Sequence, residues 1–347
     1  MLNVHDGLVT LFRQIVDIES VSGNEAPLAD QVEATLREFS GLHIERHGDT
    51  VVARTELGKP GRVVIAGHLD TVPVKGNLPS TQTQGRVYGR GTADMKGGVA
   101  VMLAAALKLE QPRHDVTWIW YDHEEVESSL NSLGHIDPEL LKGDLAILME
   151  PTCARIEGGC QGTLRFEIKT RGKTAHSARA WMGHDAIHDM AEPLARLQGY
   201  VPREVEVEGL TYKEGLNAVG IRGGIATNVI PDECVLTVNF RFAPDRDEAS
   251  AKGFCEQFFA GYELEYTDFA PAARPGLDRP IVAEFSKAVG GEPRPKYGWT
   301  DVARFSALGV PALNFGPGDP LKAHADDEYC DIADLDTCFN ALVGYLG

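Results

Sequence analysis

The stretch RVVIAGHLDTVP, residues 62–73, decides how the chain is read. RVVIA is short, β-branched and apolar, the pattern of a buried strand. Such a strand ordinarily leaves the core through turn residues, yet this one runs into His68 and Asp70. An imidazole and a carboxylate one residue apart can bind or orient a metal ion. A histidine alone at a strand end would mean little, so the neighbouring sequence has to decide.

Working outward, residues 1–20 read as an amphipathic helix and TVVAR (50–54) as another short strand. MKGGVAVMLAAALKLE (95–110) is rich in Ala, Leu and Met and reads as a helix. DVTWIWYD (115–122) and DLAILME (144–150) are further buried strands. Strands separated by helices predict a mostly parallel sheet with helices on both faces. Ligands of such sheets bind beyond the carboxyl ends of the strands. That rule sends His68 and Asp70, the pair Glu124–Glu125, and Glu150 to one edge of one sheet.

The pattern changes after GGCQG (158–162). TLRFEIKTR (163–171) alternates like a half-exposed strand. A helix near 184–198, strands near 216–224 and 233–242, a helix near 247–260 and the strand YELEYTDF (262–269) follow it. This β-α-β-β-α-β order is ferredoxin-like. The Pro-rich FAPAARPGLDRP (269–280) reads as a linker, after which VPALNFGPG (310–318) resumes the buried-strand style and ADLDTCFNALVGYL (333–346) makes a last helix. The fold class expected is α/β: an α/β/α domain of residues 1–160 and 273–347, with an α+β domain of residues 161–272 inserted into it. Internal repeats and low-complexity segments are absent.

Composition narrows the function. The 347 residues are 43% hydrophobic and 24% charged, as in ordinary globular proteins. Lys and Arg number 33 against 51 Asp and Glu, a formal net charge of −18, which repels phosphate backbones and argues against nucleic-acid binding. The N-terminus lacks the pattern of a secretory signal, and the longest smooth apolar run, GGVAVMLAAAL (97–107), is well short of the ~18 residues of a membrane span. The six cysteines include no C-x-x-C pair, the usage of reduced thiols, so a cytoplasmic protein is expected.

Five positions collect at the expected sheet edge: His68, Asp94, Glu125, Glu150 and, with a weaker local signal, His324. Taken singly, Asp94 would be a helix cap and Glu150, before Pro151, a solvated turn. Together, nitrogen and carboxylate donors in this ratio suit Zn²⁺, less often Co²⁺ or Mn²⁺. Three carboxylates among five ligands fit two metals sharing one carboxylate better than one closed structural site. In DHEEVE (122–127) the adjacent carboxylates diverge, so Glu125 can bind a metal while Glu124 acts as general base. GRGTAD lacks the third glycine of a dinucleotide fingerprint, and neither G-x-S-x-G nor H-E-x-x-H occurs.

GHLDTVP, GRGTADMKGG, DHEEVE, MEPT and AHADDEY, in this order, resemble the dinuclear-zinc M20 peptidase and deacylase family from about residue 5 to the C-terminus. The resemblance implies two Zn²⁺ per subunit, with Co²⁺ possible. His68 and Glu150 would hold one ion, Glu125 and His324 the other, and Asp94 would bridge both. Asp70 would orient His68, and Glu124 would be the general base. His176 matches a family histidine that reaches the partner subunit's site, and Arg179, Asn228 and Arg241 match substrate contacts. GWTDVARF lacks the Gly-Gly-Thr-Ser run of some relatives and leaves Thr300, with Asp301 beside it, as its candidate contact. Val126 stands where many relatives have Gly after the paired Glu.

TAHSARAWMGHDAIH, TNVIPDECVLTVNFRFAP and KYGWTDVARF look like the subgroup that releases succinate from N-succinyl-LL-2,6-diaminopimelate. The partners so implied are a small acidic N-acyl amino acid and a second copy of the chain, bound through the inserted domain, with no nucleic acid and no membrane. Deacetylation of acetylornithine or dipeptide hydrolysis is the alternative within the family. A non-catalytic zinc-binding module is the alternative outside it.

Overall fold

The computed structural model describes residues 2–38 and 42–347. By its contacts the chain forms two units, one of residues 1–159, 275–294 and 301–347, the other of residues 160–274 and 295–300. The first is built on one large sheet. Arg62–His68 lies at its centre, parallel to Asp115–Tyr121 on one side and to Leu145–Leu148 on the other, and Ala312–Asn314 pairs parallel to Leu145–Leu148. The flanks depart from the parallel pattern. Thr50–Arg54 is antiparallel to both Asp115–Tyr121 and His43–His47, and Glu157–Gly158 is antiparallel to Ala312–Asn314. A short turn joins His43–His47 to Thr50–Arg54, and a connection that short permits only antiparallel pairing.

Alternation along the central strands sends Val63, Ile65, Val116, Trp118, Trp120, Leu145 and Ile147 to one face. They pack there with residues of the helices Leu8–Asp17, Gly97–Lys108 and Ile332–Leu346. The intervening Val64, Ala66, Ile119, Tyr121, Ala146 and Leu148 are also buried, so both faces are covered. With both faces dry, the charged side chains of the central strands stand only at the strand ends.

The helix expected over 95–110 runs from Gly97 to Lys108. Ahead of it, Asp94 (φ −119°, ψ 98°) and Met95 (φ −129°, ψ 38°) are non-helical. Asp94 is therefore a loop residue and not a helix cap. Gly98 brings the helix start against the sheet edge, since a Cβ there would lie 2.3 Å from the Met149 carbonyl oxygen. No helix among the described residues is long and apolar enough to cross a membrane.

The second unit carries a four-stranded antiparallel sheet in the order Gly215–Gly223, Glu233–Phe242, Gly162–Arg171, Leu264–Ala270. The helices Ala186–Asp189, Ala191–Gln198 and Glu248–Phe258 complete the ferredoxin-like order. Leu164, Phe166, Ile168, Leu236, Val238 and Phe240 make its core with Ala251 and Cys255 of the last helix. A hairpin of Glu204–Val207 and Leu210–Lys213, unforeseen in the sequence, is added. Residues 295–300, placed by the sequence with the first domain, belong by contact to this unit. Trp299 Nε1 donates to the Pro271 carbonyl at 3.1 Å.

Candidate metal centre

His68 ends the central strand, and its Nε2 lies 3.2 Å from Asp94 Oδ1. The other oxygen of Asp94 faces His324 Nε2 at 3.4 Å, and the same nitrogen is 2.9 Å from Glu125 Oε1. Potential ligand atoms of His68, Asp94 and Glu125 all fall within 4.8 Å of one another. One carboxylate thus presents each of its oxygens to a different imidazole, the arrangement in which a carboxylate bridges two cations. The donors are nitrogen and carboxylate oxygen throughout, which suits a divalent ion.

Glu150 stands slightly apart. It is buried just past the neighbouring strand Leu145–Leu148, outside that tight group, and its charge acts on Glu124 and Tyr121.

The site's charges are strongly coupled. Burial pushes the Asp94 carboxyl up, but hydrogen bonds with His324 and His68 outweigh it and hold the group well below the usual carboxylate range. Asp94 and then Glu125 lift the His324 imidazole to about 10. Burial opposes a charge on His68, yet Asp70 and Asp94 raise it well above an ordinary histidine. Glu124 behaves in the opposite way to Asp94. Burial, reinforced by the charges of Glu150, Asp301 and Glu125 and opposed by His68, pushes its carboxyl well above the usual range. Two carboxylates of one candidate site are thereby set to different proton affinities, the pattern expected of a ligand and a base.

Asp70 organises both halves of the site. His68 Nδ1 is 2.9 Å from the Asp70 backbone carbonyl and 3.5 Å from its carboxylate. A carbonyl only accepts, so Nδ1 carries a proton and Nε2 is the nitrogen turned toward Asp94, available as a ligand atom when a cation stands between them. The nearer acceptor is thus the backbone of Asp70 and not its side chain. The carboxylate turns elsewhere: Oδ1 accepts from the Glu124 N–H at 3.0 Å, and Oδ2 from the Glu125 N–H at 2.9 Å and the Ser22 hydroxyl at 2.7 Å. Bonds from His68, Ser22 and the Glu125 amide overcome burial and lower Asp70 to about 2. Orienting the Glu124–Glu125 turn is a role the H-L-D spacing did not reveal.

The structural roles of other residues were missed because they carry no ligand signature. Asp301 is fully buried and accepts from the Tyr121 hydroxyl and Asn131 Nδ2, each at 2.9 Å, and from Arg304. Tyr121 immediately precedes DHEEVE, so this network anchors the turn that bears Glu124 and Glu125. Lys96 is buried, donates to the Ile18 carbonyl at 2.6 Å, and is lowered by burial to about 7. Arg90 and Glu328 form a buried ion pair at 2.8 Å. A buried charge with backbone partners was their only available signal, and burial at those positions does not follow from local pattern.

The inserted unit holds the remaining candidates. Ala175–His176 pairs with Val229–Ile230, and the Ser177 N–H donates to the Asn228 carbonyl at 2.9 Å, so His176, Arg179 and Asn228 belong to one exposed cluster. His176 Nδ1 accepts from the Ala178 N–H at 3.1 Å. Arg241 lies elsewhere on the unit, half-buried in the strand Glu233–Phe242 opposite Thr163, with its proton affinity lowered by burial and then by Arg165. Thr300 is buried, its carbonyl 3.8 Å from Cys160 Sγ.

Comparison with known proteins bears on the family and the fold. The model of peptidase family M20/M25/M40 matches residues 64–347. A Mycobacterium tuberculosis protein assigned as the succinyl-diaminopimelate desuccinylase DapE is 49% identical over 353 aligned residues, covering 100% of both chains. Succinyl-diaminopimelate desuccinylase of Corynebacterium glutamicum is 45% identical over 352 residues, covering 97% of this chain and 95% of its own. Among solved structures, Bacillus subtilis YXEP, described as a dinuclear metal binding peptidase of the M20 family, matches with a TM-score of 0.72 at 17% identity. That match covers 99% of this chain and 98% of the other, and shows a shared fold. On the span of the family model and the full-length identity of both relatives, this chain belongs to the M20/M25/M40 peptidase family.

Proposed function

We propose that the chain is a metal-dependent amide hydrolase that converts N-succinyl-LL-2,6-diaminopimelate and water to succinate and LL-2,6-diaminopimelate. One observation carries the chemistry: the two oxygens of Asp94 each face an imidazole, beside a Glu124–Glu125 pair held by Asp70. The substrate follows from the full-length identity of 49% and 45% to the two desuccinylases.

His68 and Glu150 would hold one Zn²⁺, Glu125 and His324 the other, and Asp94 would bridge them, with Co²⁺ as a substitute. Such ions supply Lewis acidity, polarising the amide carbonyl and acidifying water toward a pKa of about 7. Glu124, partly buried and raised in proton affinity, takes the proton of the attacking water and passes it to the departing amine. Asp70 keeps that base and its neighbouring ligand in register through their backbone amides.

His176 would act from a partner subunit. Because its Nδ1 accepts from a backbone N–H, the neutral ring carries its proton on Nε2, as a donor to the tetrahedral oxyanion must. Arg179, Asn228, Arg241 and Thr300 are the candidate substrate contacts, the guanidinium forks suiting carboxylates by bidentate pairing. The dimer would form through the inserted unit. Its edge strand Gly215–Gly223 supports this, with Val219 59% and Ile221 54% exposed.

The test is turnover of N-succinyl-LL-2,6-diaminopimelate by zinc-loaded protein, with N-acetylornithine alongside and a chelated control. Chelator-sensitive succinate release from the first substrate alone is expected. Turnover of acetylornithine alone would overturn the substrate assignment, and turnover insensitive to chelator would overturn the metal chemistry.

A further inference from the structure

We propose that the buried ion pair Arg90–Glu328 is a positioning element that holds the loops of Asp94 and His324 at metal-binding spacing. Breaking it should weaken the Glu125–His324 position before the His68–Glu150 position. The inference rests on the two-metal reading above.

Arg90 is 2% exposed and Glu328 1%. Removing two opposite charges from water is costly, and a buried pair persists when further hydrogen bonds satisfy both partners. Here every further bond goes to the backbone of a ligand-bearing segment. Glu328 Oε1 accepts from the N–H groups of Ala93 at 3.0 Å and of Asp94 itself at 3.1 Å. Arg90 Nη1 donates to Glu328 Oε2 and, at 3.3 Å, to the carbonyl of Ala325, which follows His324. Arg90 Nε donates at 3.2 Å to the carbonyl of Pro73, at the end of the His68–Asp70 turn. The ion pair therefore ties together the three segments that carry His68, Asp94 and His324, without touching a ligand side chain.

Those three ligands are not equally dependent on it. His68 is registered by the sheet, opposite Tyr121 in a parallel ladder, and its ring is fixed by the Asp70 carbonyl. Asp94 and His324 have no such frame. Asp94 lies on irregular backbone, and His324, at φ +64°, lies in a loop with its side chain half-exposed. The ladder of Arg86–Tyr88 with Tyr329–Asp331 brings the two loops side by side but stops short of both ligands. Beyond it, Gly89 N–H donates to the Glu328 carbonyl, and then the Arg90–Glu328 pair takes over. Loss of the pair leaves His68 in place and releases the other two.

The experiment strips the full chain of metal with a chelator and titrates it with Co²⁺, followed by absorption, and with Zn²⁺ against a chromophoric chelator. Wild type, Glu328→Gln and the apolar double variant R90M/E328L are compared. Replacing both partners of a buried pair with apolar groups is often neutral or stabilising, so the double variant separates positioning from folding. The expected result is two equivalents bound by wild type. In both variants the second equivalent weakens about 10–100-fold, as for residues that orient ligands, while the first, which keeps His68 and Glu150 and shares only Asp94, weakens less. Equal weakening of both equivalents, or of neither, overturns the proposal, as does failure of both variants to fold. If only Glu328→Gln fails to fold, the double variant decides alone. Fewer than two equivalents in wild type would instead overturn the two-metal reading on which the proposal stands.

Discussion

The two sheets of this chain handle polar chemistry in opposite ways. In the large sheet, every residue of Asp115–Tyr121 is buried, and His68, Glu124, Glu125 and Glu150 stand only where strands stop. In the inserted sheet, Leu164, Phe166 and Ile168 turn to the core while Arg165, Glu167 and Lys169 turn away from it. A sheet covered on both faces concentrates its polar groups at one edge, where backbone loops must position them. A sheet covered on one face offers side chains along its whole length, as with Arg165, Glu167 and Lys169 in Gly162–Arg171. Loss of function should therefore come from small changes at the edge of the first sheet, and loss of stability from charge removal around the second.

The sharpest contrast is metal removal. Stripping the protein with a chelator should reduce turnover to background, and Zn²⁺ should restore it, while the circular dichroism of the inserted sheet is unchanged. Restoration failing after refolding is excluded would break the edge-of-sheet assignment. Next, Glu124→Gln should lower kcat by about 10²–10⁴-fold, the usual contribution of a general base. Metal content should hold, because Glu125 and not Glu124 faces His324. A variant with wild-type kcat would remove Glu124 from the mechanism.

The counterpart in the inserted unit is Glu214. Its buried carboxylate takes bonds from Arg203 at 2.8 Å and Arg246 at 2.7 Å. Glu214→Ala leaves both guanidinium groups without that partner and should cost about 3–5 kcal/mol in denaturant unfolding, with metal uptake unaltered. Burial pushes this carboxyl up, but Arg203 and Arg246 outweigh burial and hold it below its ordinary 4.5. Its contribution is therefore present above about pH 4.5 and fades as pH falls through the depressed folded value. Wild type should lose stability in that acid window, and Glu214→Ala should lose less. Identical acid profiles would show that the pair is not a source of the inserted unit's stability.

The smallest effect expected is at Ser22, which donates to Asp70 at 2.7 Å. Ser22→Ala removes one bond to a charged group, about 1.5 kcal/mol, and should lower kcat roughly tenfold with KM unchanged. Equal kcat in the variant would show that the Glu124 and Glu125 amides alone suffice to hold Asp70.

Much of this was legible in local pattern. RVVIA, DVTWIWYD and DLAILME are strands because β-branched and aromatic runs bury on both sides of a sheet, and the ligands at their ends follow from that. Asp94 was legible as a site residue but not as a loop, since the sequence around it also reads as a helix start. His324 depended on family resemblance, because a histidine in a loop has no periodicity to mark it. Thr50–Arg54 looked like one more strand of a parallel set; its short turn makes it antiparallel to His43–His47, while its antiparallel pairing with Asp115–Tyr121 is visible only in the fold.

By itself, then, the sequence determined the α/β class, the ferredoxin-like insertion, and the sheet edge at which donors gather. These depend on periodicity and on chain order, both of which are local. Tertiary structure alone decided that the Asp70 carbonyl sets the His68 tautomer, that its carboxylate holds the Glu124–Glu125 turn, and that Glu328 reaches the backbone of Asp94. The last two join segments distant in sequence through a buried polar group. Which polar groups are buried, and which amides they meet, is settled only when the core closes around them.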